Sequence, residues 1–135
     1  MNNLSTRNVG RNAVKSVLVV DDEQNFVSLL DWFLTKRGFD VRTALNGEEA
    51  LKLVEKASSD LALIDIRMGP VDGLSLLDEV KQRLPDIKVI MMTAYPTSDS
   101  RRHAFGKGAT AYFTKPVDLQ ELLDTIHGLS DTVTE

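Results

Sequence analysis

Four short groups of residues carry chemistry in this sequence: Asp21-Asp22-Glu23, Asp65, Thr93-Ala94 and Lys115-Pro116. Carboxylates brought together repel one another, and a hard cation relieves the repulsion. An all-oxygen donor set, without His or Cys, favours Mg2+ over zinc or copper. A lysine beside it adds a point charge suited to phosphate, and a threonine hydroxyl adds a hydrogen-bond donor. Cation, ammonium and hydroxyl around one aspartate describe a phosphoryl-transfer site with the aspartate as nucleophile. The three groups would hold the equatorial oxygens of an in-line displacement. For this to work, the four groups must meet in space.

Two alternating patterns make that possible. Val17–Val20, Phe39–Ala44, Leu61–Ile64, Ile87–Met92 and Thr110–Thr114 read as strands. Val17–Val20 is the unbroken apolar kind covered on both faces, and Leu61–Ile64 is likewise apolar throughout. Helical stripes lie between them. Phe26, Leu29, Leu30, Phe33 and Leu34 make the first, stopped at Gly38 after Lys36 and Arg37. Asn46 with Glu49 opens the second, whose face is Ala50, Leu51, Val54 and Ala57. The third runs from Asp72 to Leu84, before Pro85. The fourth, Ser98–Lys107, is polar, with only Ala104 and Phe105 apolar, and ends at Gly108. The fifth opens at Asp118 with Glu121 and presents Leu119, Leu122, Leu123 and Ile126. Five such units predict an α/β fold: a single doubly wound, five-stranded parallel sheet with five helices on its two faces. Ligands of such sheets sit beyond the carboxyl ends of the strands, and all four groups fall there.

Composition narrows the classes. The 135 residues carry a formal charge of −4, with 42% apolar and 27% charged residues, as in a soluble single domain. An acidic chain makes direct nucleic-acid binding an unfavourable reading. With no Cys, disulfides and thiolate chemistry are excluded. No apolar run reaches a membrane span, and no signal-peptide segment precedes the domain. A cytoplasmic location is expected. Residues 1–15, rich in Asn and basic through Arg7, Arg11 and Lys15, read as a disordered leader. Residues 16–128 read as the domain, and 129–135 as a polar tail.

The acidic pair after strand one, the lone Asp after strand three, Thr-Ala after strand four and Lys-Pro after strand five resemble the receiver domain of two-component response regulators, a CheY-like, flavodoxin-like family. The resemblance covers about residues 15–128. It implies that Asp65 accepts a phosphoryl group from a sensor histidine kinase, a phosphotransfer protein or acetyl phosphate. It implies that Asp21, Asp22, Asp65 and the backbone carbonyl of Arg67 hold Mg2+, that Thr93 and Lys115 engage the phosphoryl group, and that Lys115–Pro116 is cis. Thr93 and Tyr112 would form the switch, biasing the face of helix four, strand five and helix five toward a downstream protein or a phosphorylation-dependent homodimer. No enzyme in the ordinary sense is implied, only weak self-phosphorylation and self-dephosphorylation.

One departure is visible. Proline follows Met68 only after Gly69, while Asp72-Gly73 keeps its usual spacing from Asp65. Arg67 and Tyr95 fall at the variable positions flanking the phosphoryl group and are expected to crowd attacking water and prolong its life. Taken singly, the residues have plainer readings. Asp21 and Asp22 are helix N-terminal acids, Lys115 a surface lysine, Tyr112 a half-buried packing residue. Met91 and Met92 are core, Trp32 is partly exposed, and His103 and His127 are solvated. Arg101-Arg102 is a solvated charged face or a docking one. Their joint placement favours the chemistry.

Alternatives are a receiver portion of a longer transcriptional regulator and a phosphorylation-independent pseudo-receiver. A flavin carrier would need a hydroxyl- and glycine-rich loop after strand one, where Asp21-Asp22-Glu23 stands. A haloacid-type phosphatase would need an acid at Arg67.

Overall fold

The computed structural model describes residues 13–68 and 71–131. Five parallel strands form one sheet: β1 (Ser16–Val20), β2 (Asp40–Ala44), β3 (Leu61–Asp65), β4 (Lys88–Thr93) and β5 (Ala111–Thr114). They lie in the order β2-β1-β3-β4-β5. The helices are α1 (Gln24–Thr35), α2 (Gly47–Lys56), α3 (Gly73–Arg83), α4 (Ser98–Gly106) and α5 (Leu119–Asp131). This is the doubly wound arrangement that the sequence predicts.

Strand residues alternate between two cores, as the period-two geometry of a strand requires. Leu18, Val20, Ala62, Ile64, Val89 and Met91 face α2, α3 and α4. Val17, Val19, Leu61, Leu63, Ile90 and Met92 face α1 and α5. Both faces are therefore dry, so the central strands read as unbroken apolar runs. Met91 and Met92 lie fully buried, one in each core.

The helix ends follow their capping residues. The Asn46 side chain accepts from the Glu49 N–H at 2.9 Å, and Glu49 reaches back to the Leu45 N–H at 2.9 Å. Thr97 caps α4 through the Ser100 N–H, and Asp118 caps α5 through the Glu121 N–H. Gly38 and Gly108, with φ of 95° and 103°, end the turns after α1 and α4.

Strand ends shift by a residue from the sequence expectation, and larger differences lie in the buried face of α1 and at the two ends of the domain. The buried face of α1 is Val27, Leu30, Phe33 and Leu34, while Leu29 is 43% exposed. Seven apolar residues between Phe26 and Leu34 allow two phases, and the sheet selects the one through Val27. At the start, Val14 already lies in the α1–α5 core, and Asp60 accepts the Lys15 and Ser16 N–H groups. At the end, α5 continues to Asp131 and buries Leu129. Single apolar residues at a domain edge carry no period, so a leader through 15 and a tail from 129 cut the domain too short. The leader's residues 1–12 and the tail's 132–135 lie outside the described residues. A two-residue antiparallel ladder, Arg67–Met68 with Val71–Asp72, also stands between β3 and α3.

Candidate functional site

Parallel pairing in register brings the chemical residues to one edge. Asp65 pairs with Met92, and Thr93 with Thr114, so Asp65, Thr93 and Lys115 leave the sheet in adjacent rows. Asp21 follows directly on β1, its N–H donating to the Ala44 carbonyl at 3.2 Å. Ile66 N–H donates to Met92 C=O and Lys115 N–H to Thr93 C=O, both at 2.8 Å. These bonds continue the ladder past the strands and fix the loops that carry the site.

Asp21, Asp22 and Asp65 each offer an oxygen within 4.8 Å of the others. Asp21 and Asp65 are buried and Asp22 is exposed. Lys115 Nζ donates to Asp21 Oδ2 at 2.6 Å and lies 3.6 Å from Asp65 Oδ2. The other Asp21 oxygen accepts the Glu23 N–H at 3.0 Å. Asp65 is thus less tightly paired than Asp21. Burial, then the Asp21 charge, pushes its pKa up to about 6, against the pull of Lys115 and a hydrogen bond from the Arg67 amide. Burial alone would lower Lys115. The hydrogen bond to Asp21 and the charges of Asp21, Asp65 and Glu23 together raise it, so it stays charged.

Three acids face one ammonium, an excess of negative charge made of hard oxygen donors. That donor set fits a divalent cation of the Mg2+ or Ca2+ type. Thr93 is 1% exposed, and its hydroxyl oxygen accepts the Tyr95 N–H at 3.0 Å. The lone pair being used there, the hydroxyl proton is free to serve an acceptor. Arg67, after β3, stacks on the ring of Tyr95, after β4, at 4.8 Å. The Lys115–Pro116 bond is cis.

Tyr112 sits half-buried on β5, and its hydroxyl lies 2.6 Å from that of Ser100 on α4. Two contacts are not legible from residue spacing. Phe26 lies 4.8 Å beneath the Lys115 ammonium, but its spacing signals only a helix stripe. Gly73 starts α3 against the backbone of Asp65 and Ile66, a contact visible only in three dimensions.

Residues 17–127 match the model of the response regulator receiver domain. The chain belongs to this family. Receiver domains are phospho-acceptor switches of two-component signalling. This receiver is 40% identical to the transcriptional regulatory protein ZraR of Klebsiella oxytoca, over 82% of the chain but 25% of that protein. It therefore spans about a quarter of that relative's length. It is 35% identical to sporulation initiation phosphotransferase F of Bacillus subtilis, over 83% of the chain and 90% of that protein. Among solved structures, a Burkholderia pseudomallei response regulator with a phosphorylated aspartic acid and a calcium ion superposes with a TM-score of 0.80. The two are 31% identical, covering 89% of this receiver and 71% of that chain. The acidic pocket of Asp21, Asp22 and Asp65 is consistent with such a phosphorylation site. No helix among the described residues is long and apolar enough to cross a membrane.

Proposed function

We propose that Asp65 is the phospho-acceptor and that Asp21, Asp22, Asp65 and the Arg67 carbonyl hold the Mg2+ that makes transfer possible. The observation that carries this reading is the position of Asp65. It is buried, close to two further carboxylates, and only 3.6 Å from a lysine committed to a different acid. A carboxylate whose lysine is held closer by another acid is the one free to attack. Its oxygen forms the bond to phosphorus as the phosphorus–nitrogen bond of a phosphohistidine breaks, or the bond to the acetate of acetyl phosphate. Bound Mg2+ would neutralise charge between the carboxylates and the phosphoryl oxygens. Lys115, already charged and held by Asp21, stands ready to pair with a phosphoryl oxygen, and the Thr93 hydroxyl to donate to another. Acetyl phosphate is expected to add one phosphoryl group by intact mass in the presence of Mg2+, and none in EDTA. Addition that ignores the metal would contradict the assignment.

The donor in signalling is a sensor histidine kinase or phosphotransfer protein, and the α4–β5–α5 surface meets the downstream partner or a second copy. Thr93 moving toward the phosphoryl group would let Tyr112 follow, which is the switch. Similarity to ZraR favours a receiver that governs a transcriptional output, while similarity to a phosphotransferase along nearly its full length favours a relay. Both use the same site.

The Arg67–Tyr95 stack joins the segment after β3 to the loop after β4, and a cation–π pair of this kind contributes about 0.5–1 kcal/mol at an exposed site. Spanning the phosphoryl group, it would restrict the approach of water. Arg67→Ala and Tyr95→Ala are each expected to shorten the phosphoryl lifetime several-fold, and the double variant no further than the shorter-lived single one. Loss of phosphoryl mass over time checks this; additive effects would mean the two side chains act separately.

A further inference from the structure

α4 is the element least secured by apolar burial. Ala104 is its one buried side chain, and Phe105 is 40% exposed. Polar bonds hold it instead. At its far end Lys107 donates to Asp78 of α3 at 2.7 Å, and the Ala109 N–H closes on the Ala104 carbonyl at 2.9 Å. At its near end Ser100 makes three bonds. Its N–H donates to the Thr97 hydroxyl at 2.9 Å, and its own hydroxyl donates to the Thr97 carbonyl at 3.2 Å. The same hydroxyl oxygen lies 2.6 Å from the Tyr112 hydroxyl. A serine has one hydroxyl proton. With that proton on the Thr97 carbonyl, Tyr112 must be the donor. The bonds therefore run in one direction, from Tyr112 O–H to Ser100 O–H to the backbone of Thr97.

Thr97 belongs to the loop leaving β4. Four residues earlier, at the end of β4, stands Thr93, whose hydroxyl is tied to the Tyr95 amide at 3.0 Å. Pro96 lies between and fixes one backbone dihedral. A displacement of Thr93 would pass along this short segment to Thr97, and from there by two hydrogen bonds to Tyr112. Arg101, next to Ser100, lies 5.5 Å from the Tyr112 ring and 5.1 Å from that of Phe105, and closes the other side of the tyrosine.

We infer that Ser100 is a positioning residue that couples the Thr93 loop to Tyr112, so that the tyrosine responds to the phosphoryl site through the Tyr112–Ser100–Thr97 hydrogen-bond relay. This rests on the reading of Asp65 and Thr93 as the phosphoryl site. Side-chain hydrogen bonds that connect in sequence strengthen one another in a partly buried setting. They also fail together when the middle member is removed.

The chain has two tyrosines, Tyr95 and Tyr112, so labelling with 3-fluorotyrosine gives two fluorine resonances, assigned with Tyr95→Phe. Mg2+ with beryllofluoride serves as the phosphoryl mimic. In the parent chain both resonances are expected to move on adding it. In Ser100→Ala the Tyr95 resonance should still move, reporting an intact phosphoryl site, while the response of Tyr112 is lost. Ser100→Thr keeps the hydroxyl and should restore it. A Tyr112 response in Ser100→Ala as large as in the parent would overturn the relay. A parent chain in which neither resonance moves would instead contradict the reading of the phosphoryl site itself. A Ser100→Ala chain whose Tyr95 and Tyr112 responses are both lost would show Ser100 to be structural and also overturn the relay.

Discussion

Asp65→Asn is expected to abolish phosphorylation and, at neutral pH without divalent metal, to make the fold more stable. The two effects share one cause. Asp65 is buried beside Asp21, and its pKa is raised from the ordinary 3.8 to about 6. A carboxylate whose folded pKa lies above its unfolded value is harder to ionise in the folded state. It costs little at pH 4 and nothing well below its ordinary pKa, where it is protonated in both states. The cost grows as pH rises and is complete above about pH 6. A shift of about two units corresponds to about 3 kcal/mol at most, and coupling to Asp21 and Lys115 makes about 1–3 kcal/mol the expected gain for the neutral amide. For a domain of this size that raises Tm by on the order of 5–10 °C. The amide leaves the 2.6 Å Lys115–Asp21 pair in place, so no charge is orphaned. Thermal melts of both chains in EDTA at pH 7.5 and pH 4 check the sign. The variant should melt higher at pH 7.5 and level with the parent at pH 4, and Mg2+ should narrow the difference at pH 7.5 by offsetting the repulsion. A variant less stable than the parent at pH 7.5 would show that Asp65 stabilises the fold, and the electrostatic account of the site would fail.

Gly73→Ala is expected to be the most destabilising small substitution near the site. A Cβ there would lie 2.1 Å from the Asp65 carbonyl oxygen, 2.7 Å from Ile66 Cα and 2.9 Å from the Asp65 carbonyl carbon. All three are backbone atoms at the end of β3, so no rotamer change relieves the clash. The Gly73 N–H also donates to the Ile66 carbonyl at 2.8 Å, which holds the first turn of α3 against that backbone. Either α3 withdraws or the end of β3 moves, at a cost of about 3 kcal/mol or more. Since β3 ends in Asp65, the proposed acceptor, phosphorylation should slow as well. Gly106→Ala is the control. A Cβ at Gly106 meets nothing within 4 Å, and that change should shift stability by less than about 1 kcal/mol. Urea denaturation of both variants distinguishes a specific close approach from a general intolerance of alanine.

The architecture was legible because burial on both faces leaves a clear mark. Leu61–Ile64 could be little else than a central strand, and Asn46 with Glu49 marks a helix start by chemistry alone. The chemical residues were legible because each ends a strand of one parallel sheet, where one direction of travel brings them to one edge. Other features left weaker traces. Leu29 and Val27 both suit a helix face, and only the sheet decides between them. Val14 and Leu129 are lone apolar residues at the margins, without a neighbour to set a period. The Ser100–Tyr112 bond joins residues of ordinary type whose spacing says nothing until α4 is placed beside β5. Gly73 resembles a helix-start glycine until the backbone of Asp65 is seen against it.

The central claim, that Asp65 carries the phosphoryl group, is tested most directly by trapping the acyl phosphate. The chain is phosphorylated with acetyl phosphate and Mg2+, reduced with borohydride, digested and read by mass spectrometry. Reduction converts a phosphorylated aspartate to homoserine and leaves free aspartates unchanged. Homoserine at position 65, and at no other aspartate, is the predicted result. Homoserine at position 21 or 22, or a phosphoryl group retained on a serine, threonine or histidine after reduction, would contradict it.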